Sequence, residues 1–398
     1  MRILIWNECY RSGGQDQNVI DLINNWPDEN DRFLIAINRT HEGIDKIKRH
    51  TNRHADIVLF PFKTLLEIWE SSFWKRVRSV SVTLFRLMFG LYFITTYLPL
   101  NVFKSYRFLT GEMLSAVLVN SGGFPGLTNS FVFPAFIAFL KNVKKRIMVI
   151  HNFPPPGLRR YEAPISSMII KKCFQIVIMV SETLKASYSS FPFYSKTQVI
   201  LNGVDVGESE VNLWQGFSNP IVAGIFGELH PRKGHKTLLD AIRRVEDKLG
   251  VRLIIVGRGT SEEHSFLVKY VETIALRSDV VFKDFLPDCK PVMAECDIVV
   301  QPSIAYESFG RVAAEAQGLG RPVIVSDEGG LKEVVSNGLN GLMFKAGNGK
   351  DLAEKFLMMV QNEAKTREMV QKGRELYLKK FSSKRMAREY CRALHDLQ

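Results

Sequence analysis

The sequence predicts an α/β protein made of two doubly wound domains, each built on a parallel β-sheet. Three observations carry this expectation. Short apolar runs alternate with longer stretches of helical periodicity, the rhythm of βαβ units. That rhythm ends near Asn202-Gly203-Val204-Asp205 and then begins again. The chain has 398 residues, long for one domain and comfortable for two of roughly 100–200 residues each.

In the first half, Ile3–Trp6 reads as a buried opening strand. A Gly13-Gly14 loop and a helical stretch near Gln17–Asn25 follow it. Arg32–Ile37, Ala116–Asn120, Ile147–Ile150 and Ile176–Val180 are the next strands. The last three end in Ser121-Gly122-Gly123, His151-Asn152 and Ser181-Glu182. In the second half the Val- and Ile-rich runs are Pro220–Phe226, Arg252–Val256, Val280–Phe282, Ile298–Gln301 and Pro322–Ser326. The expected domains are therefore 1–204 and 205–380, with a terminal helix over 381–398. No period of 20–50 residues repeats, which argues against a solenoid.

Residues 62–108 depart from this rhythm. The run from Leu87 to Phe103 carries no charge, and Lys75, Arg76, Arg78, Arg86, Lys104 and Arg107 flank it. It falls just short of the ~20 residues of a spanning helix, and Pro99 interrupts it. The pattern fits a segment lying in a membrane interface, apolar on one side and basic on the other. A buried pair of core helices is the competing reading.

Composition narrows the function. The net charge of +12 calls for an acidic partner: nucleic acid, an anionic membrane or a phosphorylated substrate. No zinc-finger spacing or RNA-binding signature is present, so nucleic acid is not expected. The five cysteines are scattered and odd in number, which suggests neither a zinc site nor a disulfide framework. A reducing cytoplasm is the natural setting. The opening apolar run is too short for a signal peptide.

In open α/β sheets ligands bind beyond the carboxyl ends of the strands, so the informative residues follow the apolar runs. After Ile298–Gln301 comes Glu307-Ser308-Phe309-Gly310-Arg311, leading into an Ala-rich helix that carries Glu315. Ser308 is the expected N-cap. The unpaired N–H groups of the first turn make that helix start an anion site, and Gly310 admits a phosphate close to the backbone. Glu307 and Glu315 can each accept hydroxyl hydrogen bonds, one from a sugar and one from a ribose. After Pro220–Phe226 comes Gly227-Glu228-Leu229-His230-Pro231-Arg232-Lys233-Gly234, whose adjacent cations suit a diphosphate. Gly257 ends the next strand, and Gly329-Gly330 opens a later helix.

Taken in order, these segments resemble glycosyltransferase family 4, the group 1 glycosyltransferases of GT-B fold. The likeness rests on Asn202 to Asp205, Gly227 to Gly234, Val256-Gly257, Glu307 to Glu315, and Gly329-Gly330 to Glu333. It covers about residues 200–375 and extends more loosely to Gly13-Gly14, His151 and Val180-Ser181-Glu182. It implies two Rossmann-like domains facing a central cleft, with the terminal helix able to cross back to the first. It implies that Glu307 contacts donor-sugar hydroxyls, that Glu315 holds the ribose, and that Arg232 and Lys233 neutralise the diphosphate. Backbone groups around Ser308, Phe309, Gly310 and Arg311 would assist, with Gly13 and Gly14 contributing from the first domain. His151 would hydrogen-bond the sugar, so Glu307, His151, Lys233 and Arg232 are the expected catalytic set. Two departures stand out: Lys283-Asp284-Phe285 occupies the place of the usual glycine near the base, and Gln15-Asp16 follows the Gly13-Gly14 loop.

The implied reaction is transfer of a sugar from a UDP- or GDP-linked donor with retention of configuration. The chain contains no Asp-x-Asp, so no metal and no cofactor are expected. The basic, aromatic first half suits an anionic membrane surface and a lipid-linked or saccharide acceptor, as in assembly of a surface polysaccharide or lipopolysaccharide. The expected location is cytoplasmic, peripheral on the inner face of the cytoplasmic membrane. A sugar-nucleotide epimerase of the same architecture and a non-catalytic sugar-nucleotide-binding protein are the alternatives.

Overall fold

A computed structural model describes the chain apart from residues 9–12, 39–42, 52–54, 61–63, 65–67, 69–80, 82–87, 90, 111–112, 122–131, 142, 155–161, 208–211 and 398. The described residues form two compact units. The first comprises Met1–Val180, Leu184–Ile200 and Ala387–Gln398; the second comprises Ser181–Thr183 and Leu201–Met386.

The first unit is built on seven strands: β1 (Arg2–Glu8), β2 (Arg32–Ile37), β3 (Ala55–Leu59), β4 (Ala116–Ser121), β5 (Lys145–Ile150), β6 (Ile176–Met179) and β7 (Thr197–Val199). Every pairing is parallel, in the order β3-β2-β1-β4-β5-β6-β7. Ile3, Leu4, Ile5 and Trp6 of β1 are buried, as are Ala116, Val117, Leu118 and Val119 of β4. Near-continuous apolar sequence in the central strands follows from burial on both faces.

The second unit has six: β8 (Ile221–Phe226), β9 (Val251–Val256), β10 (Asp279–Lys283), β11 (Ile298–Gln301), β12 (Val323–Ser326) and β13 (Leu342–Phe344). They pair in parallel in the order β10-β9-β8-β11-β12-β13. Leu238, Leu239 and Ile242 of the helix His235–Val245 join Leu253, Ile255, Val300 and Phe356 in one core. Two parallel-sheet α/β domains are thus present, as the alternation of apolar and helical segments predicts.

In each sheet the strand order reverses once, between β1 and β4 and between β8 and β11. Loops leaving a reversal point diverge and open a crevice at the carboxyl ends. Of the segments singled out in the sequence, Gly13-Gly14 follows β1, Gly227 to Gly234 follows β8 and Glu307 to Glu315 follows β11, while His151, Gly257 and Gly329-Gly330 follow β5, β9 and β12.

Most of 62–87 lies outside the described residues. Its continuation is helical: Phe93–Tyr97 forms a π-helical turn that runs into the helix Leu98–Thr110. Pro99 therefore does not end the helical run but lies directly after the π-helical turn, where the hydrogen-bond register changes. Tyr97 and Leu109 are buried, while Leu100, Phe103 and Tyr106 are exposed. Among the described residues no helix is long and apolar enough to cross a membrane.

Candidate functional site

In the second unit, the loops leaving β8 and β11 meet. The β8 loop turns through a short 3₁₀ segment, Pro231–Lys233, and ends at Gly234 in a left-handed conformation (φ 76°). A Cβ at Gly234 would fall on the Pro302 carbonyl oxygen, so only glycine allows this approach of the two backbones. Ile304 N donates to the Arg232 carbonyl at 2.7 Å, locking the loops together. The consequence is that Lys233 Nζ donates to Glu307 Oε2 at 2.7 Å. Ser303 Oγ donates to the same oxygen at 2.9 Å.

Glu307 is only 9% exposed. Burial pushes its carboxyl pKa up, but the Lys233 ammonium, the Ser303 hydroxyl and the nearby Arg232 charge outweigh burial and hold it below the ordinary value. Arg232 itself pairs with Glu228 at 2.9 Å. The segment before Glu307 is turned by Tyr306, a non-glycine residue at φ 57° whose side chain is exposed. Tyr306 N donates to Glu328 Oε1 at 3.1 Å.

The helix start differs from the expectation. Gly310 (φ 107°), not Ser308, is the N-cap of the helix Arg311–Gly318. Ser308 lies two residues too early, and its carbonyl accepts instead from Ser181 Oγ at 2.6 Å. The third N–H of the helix, at Ala313, donates to the Gln301 side chain at 3.0 Å, so the first turn offers fewer donors than a bare helix start. Phe309 is buried and packs edge-to-face on Phe381, so its ring serves the core. Arg311 pairs with Glu315 at 3.1 Å and donates to the Gly203 carbonyl at 3.2 Å.

Gly329 and Gly330 press from behind. A Cβ at Gly329 (φ 52°) would overlap the Glu307 carbonyl oxygen, and one at Gly330 the Ser308 carbonyl oxygen. Gly330 N donates to the Glu307 carbonyl at 2.8 Å. Gly257 lies against the Gly227 carbonyl in the same backbone-to-backbone manner. These glycines set the loops rather than line an open surface.

Gly13, Gly14 and His151 belong to the first unit. Gly13 is the N-cap of the helix Gly14–Asn24, and its N–H donates to Asp16 Oδ2 at 3.4 Å. Asn7 at the end of β1 and Asn120 at the end of β4 form a buried polar knot. Asn120 Nδ2 donates to Asn7 Oδ1 at 2.8 Å, and Gln15 Nε2 donates to the same oxygen at 2.9 Å. With its amide so committed, Asn120 Oδ1 accepts from His151 Nε2–H at 2.7 Å, which orients the imidazole. Asn7, Gln15, Asp16 and Asn120 were not among the expected functional residues of the first unit. Buried amides just past two apolar strands flanking one loop are the signal that could have found them.

Residues 214–376 match the family described as Glycosyl transferases group 1. An uncharacterized glycosyltransferase of Methanocaldococcus jannaschii is 32% identical over 211 residues, covering 52% of this chain and 55% of that protein. The lipopolysaccharide core biosynthesis glycosyltransferase LpsE of Rhizobium meliloti is 28% identical over 175 residues, covering 44% and 49%. The matched region thus spans about half the length of these curated relatives. Anabaena HepE, solved with UDP and with UDP-glucose, superposes over 100% of both chains with TM-scores of 0.76 and 0.75 at 20% identity. Residues 214–376, within the second unit, thus resemble the group 1 glycosyltransferases, and the fold of the chain is shared with solved GT-B structures.

Proposed function

We propose that the protein is a family 4 glycosyltransferase that moves a sugar from a nucleotide-sugar donor to an acceptor, with retention of configuration and without a catalytic metal. The observation that carries this reading is the Lys233–Glu307 pair, held between the two loops at the strand-order reversal of the second sheet. A cation and a carboxylate fixed there match the two ends of such a donor. Lys233 and Arg232 would take the diphosphate, whose negative charge grows as the glycosidic bond breaks. Glu307 would exchange its ammonium partner for sugar hydroxyls. Glu315 would accept from the ribose.

Thermal-shift screening with UDP, GDP and their sugars tests the reading directly. One nucleotide should raise Tm in wild type and not in Lys233→Ala; no shift with any of them would overturn the assignment. Stereochemistry is read by NMR of the product, and an inverted anomer would remove the family. Metal independence rests on the missing Asp-x-Asp and on the two cations. Turnover should persist in excess chelator, and a loss restored by Mg²⁺ or Mn²⁺ would count against it.

For the acceptor, the proposal is a lipid-linked saccharide presented at an anionic membrane on the cytoplasmic side. Its support is a surface of the first unit where Phe103, Tyr106, Phe136 and Phe139 are exposed among cations. Lys141 Nζ lies 5.2 Å from the Tyr106 ring and the Arg146 guanidinium 5.7 Å from that of Phe139. Exposed aromatics beside basic groups are the composition of an interface-binding face.

A further inference from the structure

A separate cluster of reactive side chains lies in the first unit. Cys391 and His395 occur four residues apart on the helix Ser383–His395, so they stand on one face, one turn apart. Asp31, just before β2, reaches the same place. One ligand atom from each of Asp31, Cys391 and His395 lies within 4.8 Å of the others. Asp31 and Cys391 are buried, and His395 is exposed. The Asp31 carboxylate is fixed by the Met1 ammonium on one oxygen and by Trp26 Nε1 at 2.8 Å on the other. Asp28 and Lys145 are further charged groups near Cys391, and the Lys145 ammonium is turned onto the Leu394 carbonyl at 2.8 Å.

We propose that Asp31, Cys391 and His395 form a binding site for a divalent transition-metal ion, Zn²⁺ by preference. A thiolate, an imidazole and a carboxylate are the donor types that Zn²⁺ takes in tetrahedral sites, and the thiolate selects against Mg²⁺ and Ca²⁺. The hydrogen bonds from Met1 and Trp26 play the orienting part that outer partners play around metal-bound carboxylates. The exposed His395 side leaves a fourth position to water. Bound there, the ion would clamp the last helix to the start of β2, joining segments some 360 positions apart in sequence. The spacing rules for zinc miss it because only the Cys-x-x-x-His pair is local.

The test uses the full chain, stripped with chelator and titrated with Co²⁺ as a spectroscopic stand-in for Zn²⁺. Wild type should bind one ion per chain with a thiolate-to-cobalt charge-transfer band. Cys391→Ser should lose that band, whereas Cys289→Ser should keep it. His395→Ala, an exposed change that leaves packing intact, should weaken Zn²⁺ binding roughly tenfold or more and abolish any Zn²⁺-dependent rise in Tm. A band that survives Cys391→Ser, or Zn²⁺ affinity unchanged in His395→Ala, would overturn the proposal.

Discussion

A carboxylate held away from water keeps its charge only if something answers it, and at Glu307 that something is Lys233. Each therefore has two tasks: to balance the other when no ligand is bound and, in the proposed reaction, to meet opposite ends of the donor. Losing one charge-assisted contact costs about 1.5–3 kcal/mol, roughly ten- to a hundredfold. Lys233→Ala and Glu307→Ala should each lower turnover at least about tenfold while the far-ultraviolet circular dichroism spectrum is unchanged; wild-type rates in both would remove the site. Next to this pair, His235 is 3% exposed, and its ring nitrogens have no hydrogen-bond partner among the described residues. Burial, with the Lys233 charge, lowers its pKa from 6.5 to about 4. Between those values the unfolded chain binds the proton that the folded chain refuses, so stability is full above about pH 6.5 and falls toward pH 4. Urea midpoints of His235→Gln should decline less over that window than those of wild type. The residue types at the site were legible only as a set: each charged or glycine-rich loop is ordinary alone, and their order and spacing after successive apolar strands carried the reading. The pairing of Lys233 with Glu307 was not, since it depends on two loops 74 positions apart approaching at Gly234 and Pro302.

At the scale of elements, the sequence was read best where burial is greatest. β2 and β11 coincide with the apolar runs that predict them, because strands covered on both faces must be apolar along their length. β3, β7 and β13 gave no such signal. All three lie at a sheet edge, where one flank is unpaired and part of the surface faces water, so their sequences are short or mixed. The N-cap was misplaced for a related reason: Ser308 has the side chain of a cap, but the left-handed turn at Gly310 decides where the helix begins. Glycine geometry also gives a prediction. Gly234→Ala and Gly329→Ala each force an L-residue into positive φ and drive a methyl group into a carbonyl oxygen. Each should cost about 2 kcal/mol or more, seen in urea unfolding, and should weaken nucleotide binding because the loops carrying Lys233 and Glu307 are displaced. Binding at wild-type strength in both would show that the loops are set by other contacts.

For the whole molecule, the net charge of +12 gains a location in the first unit. There, Lys104, Arg107, Lys141 and Arg146 lie on or beside the elements that expose Phe103, Tyr106, Phe136 and Phe139. Cosedimentation with anionic vesicles should weaken with added salt, and should weaken roughly tenfold when Phe136 and Phe139 are both changed to Ser. Retention of the double variant at wild-type levels would place the membrane-binding surface elsewhere. The division into units has a further consequence for how the chain can be taken apart. Apart from Ser181–Thr183, the second unit is the single stretch Leu201–Met386, which lies between stretches of the first unit because Ala387–Gln398 groups with Met1–Val180 and Leu184–Ile200. In its threading the second unit is a guest inserted near the end of its host. Its entry and exit are stitched side by side: Val204 N donates to the Phe381 carbonyl at 2.8 Å, and Arg385 donates to the Leu201 carbonyl at 2.8 Å. A polypeptide of residues 201–386 should thus fold by itself, whereas one ending at residue 200 lacks the last turns of its own unit and should be recovered only when 387–398 is supplied in trans.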